Sequence, residues 1–445
     1  MFKTFARLIL FGVSVLLCLS LQAQEEADTE NDVVDTQWLV LHAGSLLAVP
    51  GEPPLSEKTV VIRDGRIDRI LDGYVLAAEA IDEEPAVNVE FLDLSAAFVL
   101  PGLMDMHVHL SFEFGVDGQK SYGAAEEYSR QHHNARDDAY NFVTAIGNAH
   151  KTLHAGYTTV RDVGSAGWHI FALRDAIRDG NLEGPRIIAS GHSIRIGADD
   201  GSGACASVES CRRATREQID MGADVIKVYA TCSGSKPCGY EGAPSVFLED
   251  ELIAVVATAA TRELKVAAHA HGTTGVNLAA QSGVASIEHG SYNDAESRKI
   301  MRKNGVFLVP TLAVQDNIRK DIEDASGSML EVMQGFLDNH GPRMFAAYEA
   351  GVQIAAGSDA GVTPHGKNAR ELELYVDYGL TPAEAVTAAT VTAAQLISMD
   401  NELGTVEVGK IADLIAVKVN PLTDIKALQN VSVVIKDGRI VKNEL

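Results

Sequence analysis

The sequence predicts an α/β fold, a (β/α)8 TIM barrel with a small β-sandwich domain formed from both chain termini. Three observations carry this expectation. Through the middle of the chain short apolar runs alternate with amphipathic helical stretches, the βαβα order of a parallel sheet or barrel. Eight such runs fall within about 300 residues, which suits eight strand-and-helix units. One phrase near the start, Val61-Ile62-Arg63-Asp64-Gly65-Arg66-Ile67, returns near the end as Val434-Ile435-Lys436-Asp437-Gly438-Arg439-Ile440, so the two ends should supply similar hairpins to one small domain.

The chain has 445 residues, of which 46% are hydrophobic, enough for a large core. Residues 1–23 read as an export signal. Lys3 and Arg7 give a basic start, Leu8 to Leu21 form an apolar stretch too short to span a bilayer comfortably, and Leu21-Gln22-Ala23 suits cleavage. Residues 24–37, acidic and without periodicity, form a flexible tether. Residues 38–96 open the small β domain, 97–402 form the barrel and 403–445 complete the small domain. The expected protein is exported, periplasmic or secreted, with no stable membrane span after cleavage.

A formal net charge of −24 repels phosphate backbones and anionic membrane surfaces, so nucleic acid is excluded as a bulk-charge partner. Cys18 leaves with the leader. That leaves Cys205, Cys211, Cys232 and Cys238, an even number suited to disulfides in an oxidising compartment, with three connectivities open. A symmetric homo-oligomer, the common state of soluble enzymes, is compatible with all of this.

Val60 to Ile62, the turn Asp64-Gly65 and Arg66 to Ile70 predict the first hairpin. Barrel strands are predicted to end near His107, Asp162, Ser190, Tyr229, His269, His289, Pro310 and Ser358. Helical stretches fall between them, among them Ala139 to His154, Arg212 to Met221 and Glu249 to Leu264.

The chemistry-bearing side chains stand where these apolar runs stop. The first strand closes on His107 and His109, which share a face if the strand extends to both. The fourth carries Lys227 in Val225-Ile226-Lys227-Val228-Tyr229. The fifth carries His269 and His271, the sixth His289, and the eighth Asp359. A central barrel strand has no exposed edge, and burying an unpaired ammonium is costly, so Lys227 should lose its proton readily. A neutral lysine amine can take up carbon dioxide as a carbamate, whose two oxygens can bridge two cations.

This order of His-x-His, lysine, histidine, histidine and aspartate on strands 1, 4, 5, 6 and 8 resembles the amidohydrolase superfamily. Pro101-Gly102-Leu103-Met104-Asp105-Met106-His107-Val108-His109, Gly357-Ser358-Asp359 and Gly409-Lys410-Ile411-Ala412-Asp413-Leu414 are similar to its motifs, and the likeness runs from about residue 38 to the end. It is nearest to the imidazolonepropionase-related branch that includes exported Xaa-Pro dipeptidases and ochratoxin-hydrolysing amidohydrolases.

The resemblance implies two divalent metal ions. His107, His109 and Asp359 would hold the more buried one, and Lys227, as a carbamate, would bridge to a second completed by His269 and His289. The spacing to His289 in that branch favours His269 over His271, and the choice between them stays open. Zinc suits the ligand set, although manganese, iron or cobalt would also fit. The implied reaction is hydrolysis of an amide or peptide bond by metal-activated hydroxide, with Asp359 taking a proton and returning it to the leaving amine. Substrates would be dipeptides or N-acyl amino acids. His192, Tyr229, His271 and His365 are candidate substrate contacts, and Tyr122, Tyr128, His132, His133 and Arg195 lie on loops able to line the pocket.

Three alternatives share much of this pattern. A mononuclear deaminase or imidazolone-ring hydrolase would not need Lys227. A lactonase or organophosphate hydrolase would keep all six ligands, and a non-catalytic binding relative would be expected to lose some.

Overall fold

Strands begin at the N-terminal end, where alternating β-branched and leucine residues suit a pleated, half-buried surface. Trp38–Leu46 forms β1, Leu55–Arg63 β2, Arg66–Asp72 β3 and Val89–Pro101 β4. The computed structural model describes residues 36–81, 89–113, 135–165, 168–197, 203–231, 244–323 and 325–445. The leader, most of the tether, Tyr122, Tyr128, His132, His133, Cys232 and Cys238 lie outside the described residues.

The barrel follows with Leu103–Val108 (β5), Tyr157–Asp162 (β6) and Arg186–Ala189 (β7), then a two-stranded ribbon of Arg195–Ile196 (β8) and Ala204–Cys205 (β9). Val225–Tyr229 (β10), Lys265–Ala270 (β11), Ser286–His289 (β12) and Phe307–Val309 (β13) continue it. The C-terminal end adds Leu414–Val417 (β14), Val433–Lys436 (β15) and Arg439–Asn443 (β16).

The terminal strands share one seven-stranded sheet in the order β16-β15-β14-β4-β1-β2-β3. The repeated phrase explains its symmetry. Asp64 and Gly65 take φ of 48° and 83°, and Asp437 and Gly438 take 48° and 73°, the two left-handed residues of a type I′ hairpin. Each hairpin slips register at the same place in the phrase, between Val61 and Ile62 and between Val434 and Ile435. The two turns meet across Ala412, whose N–H donates to Gly65 O and whose carbonyl accepts from Gly438, both at 2.8–3.0 Å. This contact folds the sheet back on itself around Leu41, Ile62, Leu94, Val99, Leu414 and Ile435.

In the barrel, β5-β6-β7 and β10-β11-β12-β13 are two parallel arcs. One join is made by Asp224 N to Ala189 O and Ile194 N to Lys227 O, both 2.8 Å. The other passes through residues 353–360, the predicted eighth strand. This segment is irregular, yet it accepts from Leu308 N at Gln353 O (2.9 Å) and from Met106 N at Ala356 O (2.8 Å). The seven regular strands end at or within one residue of the predicted points. Three of the helices that clothe the ring are Ala135–His154, Val208–Met221 and Glu249–Ala260. Cys205 and Cys211 form a disulfide that ties β9 to the first turn of the second of these helices. Among the described residues, no helix is long and apolar enough to cross a membrane.

Candidate active site

The strand ends converge at one mouth of the barrel. β5 delivers His107, and the pairing continues past its last residue because His109 N donates to Ala360 O at 2.7 Å. On β10 and β11 the register sets Lys227 beside Ala267 and Tyr229 beside His269, so Lys227, Tyr229 and His269 share one face.

His289 and Asp359 reach the same space by a different route. Their backbones are left-handed, with φ of 70° and 56°, as is that of Thr311 at 54°. Such conformations cost on the order of 1–3 kcal/mol each, and here they turn side chains at strand ends into the mouth.

The protons fix what these groups offer. His107 Nδ1 lies 2.8 Å from Glu288 Oε2 and His109 Nδ1 lies 2.8 Å from the Gly164 carbonyl, and both partners accept only. Each Nδ1 therefore carries a hydrogen. In the neutral ring this leaves Nε2 as a lone pair. Those two Nε2 atoms face Asp359 Oδ1 at 3.5 and 3.2 Å. Burial pushes His107 down to about 4, aided by the Lys227 charge, so it is neutral at physiological pH. Burial pushes the Asp359 carboxyl up, yet it lies below the ordinary carboxylate range because the charge His107 carries in acid and the Lys227 ammonium favour its ionised form. Three electron-rich atoms thus point at one place, an arrangement that a divalent cation satisfies.

A second group adjoins it. His269, His271 and His289 present donor atoms within 4.8 Å of one another, and His289 also groups in that way with His107 and Asp359. His289 Nδ1 is 2.7 Å from Thr311 Oγ1, and His271 Nδ1 is 2.9 Å from Ser291 Oγ. Burial lowers His271 to about 4 and takes His289 well below the usual imidazole value. Lys227 is 1% exposed, and burial brings its ammonium down to about 8 against the opposing charges of Glu288 and Asp359. Each of the two groups could hold a divalent ion, and Lys227 shares their face of the barrel. His271 stands with His269 in the second group, so both remain within reach of an ion.

The other predicted residues separate. Tyr229 stacks on His269, with ring centroids 4.6 Å apart, and carries the Arg195 guanidinium 4.0 Å above its ring. The ribbon β8–β9 holds Arg195 there through Arg195 N to Gly203 O at 3.1 Å. His192 is half-buried, with its backbone N–H on Gln218 Oε1 at 2.9 Å. His365 is buried beside the loop that follows His109. Its Nε2 lies 3.2 Å from the carbonyls of His109 and Phe112 and its Nδ1 3.3 Å from Thr152 Oγ1, so the ring braces the loop behind His109.

Sequence reasoning missed the groups that hold the histidines. Glu288, fully buried, receives His107 on one oxygen and Arg161 Nη2 (2.8 Å) and Ser286 Oγ (2.5 Å) on the other. Burial alone would raise its carboxyl, but Arg161 and His107 bring it down to about 2. Arg161 in mid-strand was the available signal, by the same reasoning that singled out Lys227. Asp105 accepts from His107 N and Ser358 N, both at 3.0 Å, and from Asn368 Nδ2 at 2.7 Å, tying β5 to the segment that carries Asp359.

Comparison with known proteins agrees with this geometry. Ochratoxinase of Aspergillus niger is 36% identical over 241 residues, 53% of this chain and 50% of that protein, so the chain spans about half the length of the curated relatives it matches. A solved Xaa-Pro dipeptidase with methionine bound in its active site superposes with a TM-score of 0.80 at 34% identity, covering 92% of this chain and 100% of that one. A prolidase complexed with N-methylphosphonate-L-proline gives a TM-score of 0.78 at 28% identity, again covering 92% and 100%. The amidohydrolase family profile matches residues 98–441, and the chain belongs to the amidohydrolase family.

Proposed function

We propose that this chain is a binuclear metal-dependent hydrolase that cleaves the amide or peptide bond next to a C-terminal amino acid, in a dipeptide or an N-acyl amino acid. The observation that carries the reading is the meeting of Asp359 Oδ1 with Nε2 of His107 and His109 beside a buried lysine.

His107, His109 and Asp359 would hold one ion, and His289 with His269 the other, with Lys227 as a carbamate between them. Divalent ions bound there, zinc being the best match to imidazole and carboxylate donors, would supply Lewis acidity and water made acidic at neutral pH. The Asp359 carboxylate takes the proton from the attacking water and returns it to the leaving nitrogen. Glu288 keeps the hydrogen of His107 on Nδ1, so that Nε2 stays available. Lys227 Nζ gains the carboxyl by forming a bond to the carbon of carbon dioxide and releasing one proton. Arg195 and Tyr229 offer a cation and a phenol beside His269, suited to a substrate carboxylate. The named activities of the Xaa-Pro dipeptidase and ochratoxinase relatives support a bond of this class. Export with loss of residues 1–23 belongs to the same proposal.

Metal analysis beside a panel of Xaa-Pro, Xaa-Arg and N-aroyl amino acid substrates tests it. About two ions per chain and release of the C-terminal amino acid are expected. Arg195→Ala should raise KM for substrates with a free carboxylate and leave their methyl esters little changed. One ion at full activity with a harmless Lys227→Ala would sink the binuclear reading, and turnover confined to ring amidines or imidazolones would favour the deaminase-like alternative.

A further inference from the structure

Outside the barrel mouth, His150, His154 and Glu183 form a separate cluster whose donor atoms all lie within 4.8 Å of one another. The two histidines are one helical turn apart at the C-terminal end of Ala135–His154, so they stand side by side, with ring centroids 4.0 Å apart. Glu183 comes from the loop after the helix His169–Arg178. Its Oε1 lies 3.0 Å from His150 Nδ1 and 2.8 Å from His154 Nε2.

The other face of the helix is occupied by the barrel. Asn148 Nδ2 donates to Leu110 O at 2.9 Å, Lys151 Nζ binds Glu113 Oε2 at 2.8 Å, and Thr152 meets His365. His150 and His154 point away from those contacts and are 55% and 30% exposed at the side chain. Lys442, which donates to the His154 carbonyl, also binds the Val431 carbonyl and Glu444.

We infer that His150, His154 and Glu183 form a surface site for a late first-row divalent ion such as Zn2+ or Cu2+, independent of the barrel. Two imidazoles and one carboxylate are a preferred donor set for these ions, and water completes the coordination. Donors on a tetrahedral zinc stand about 3.3 Å apart given bond lengths near 2.0 Å, so the present N···O spacings need to open only slightly, which exposed side chains allow. The last turn of a helix also carries the negative end of its dipole, which favours a cation. The bound ion would staple the helix after β5 to the loop that leads into β7.

The test uses the full-length protein purified with its barrel ions in place, titrated with Zn2+ by calorimetry and with Cu2+ by electron paramagnetic resonance. One further equivalent is expected, with two-nitrogen hyperfine structure on the added copper. It should be lost in His154→Ala and His150→Gln and weakened on the order of a hundredfold in Glu183→Gln, with turnover unchanged. Circular dichroism and the melting temperature verify that the variants fold, and the pair of histidine variants guards against a local defect in either. No added equivalent in the wild type, or equal uptake by wild type and variants, overturns the site. Ions in the barrel are counted separately, so this outcome is distinct from failure of the proposed hydrolase chemistry.

Discussion

His107 and Glu288, 181 positions apart, are joined by a 2.8 Å hydrogen bond from Nδ1 to Oε2, and both are buried. The bond decides the tautomer of His107 and so which nitrogen faces Asp359. Arg161 completes the arrangement by neutralising Glu288 from behind, with a further hydrogen bond from its Nε to Met106 O at 2.7 Å.

Removing the Glu288 charge should therefore weaken metal binding without touching an ion. Glu288→Gln is expected to lower metal affinity about 10- to 100-fold, read by competition with a chelator. Glu288→Ala also leaves the Arg161 guanidinium buried without its counter-charge and should cost about 3–5 kcal/mol in denaturant unfolding. Unchanged affinity in Glu288→Gln would show that the tautomer is held some other way.

Lys227 should govern the uptake of carbon dioxide through its neutral form. With its ammonium brought down to about 8, the neutral amine grows about tenfold per pH unit below that point. At a fixed concentration of dissolved carbon dioxide, metal-stripped protein should regain its second ion faster at pH 8.5 than at pH 6.5. Lys227→Ala should hold fewer ions and lose nearly all activity. Equal reconstitution at both pH values would remove the carbamate from the account.

Glu371, which is not one of the metal donors, sets a pH dependence of its own. It accepts from Leu312 N at 2.8 Å and Ala313 N at 2.6 Å, and burial raises its carboxyl to about 8 despite those bonds. A folded-state value above the unfolded one means that the protonated form stabilises the fold. Its contribution is complete below pH 4.5 and is lost as pH rises through 8. The unfolding free energy of wild type minus that of Glu371→Gln should thus fall by several kcal/mol between pH 4.5 and 8, and a flat difference would contradict it.

Two glycines give opposite expectations. Gly361 has a φ of 116°, and a Cβ there would stand 2.8 Å from the Cβ and carbonyl oxygen of His109. Gly361→Ala should lower both the melting temperature and the bound metal. Gly147, exposed in the helix Ala135–His154, would meet nothing within 4 Å, so Gly147→Ala should stabilise by about 0.5–1 kcal/mol with metal content unchanged. Thermal melts and metal counts on the two variants separate these effects.

The barrel strands and the residues at their ends were legible because apolar runs stop where polar donors begin, a pattern local to each strand. Burial of Lys227 followed from its place in mid-strand. The eighth strand was less legible, since residues 353–360 hold their place by hydrogen bonds to two other strands instead of a regular ladder.

What the sequence alone determined about this protein is therefore the donor inventory, the strand each donor ends, and the repeated hairpin phrase. Only the tertiary structure decided how those donors are used. It brought Glu288 and Arg161 behind His107, turned His289 and Asp359 inward through left-handed backbone, and placed His365 behind His109 as a brace. It also set His271 beside His269 in one group. The physical reason is that strand periodicity is encoded within a few residues. Proton placement, backbone strain and burial depend on segments that meet only when the barrel forms.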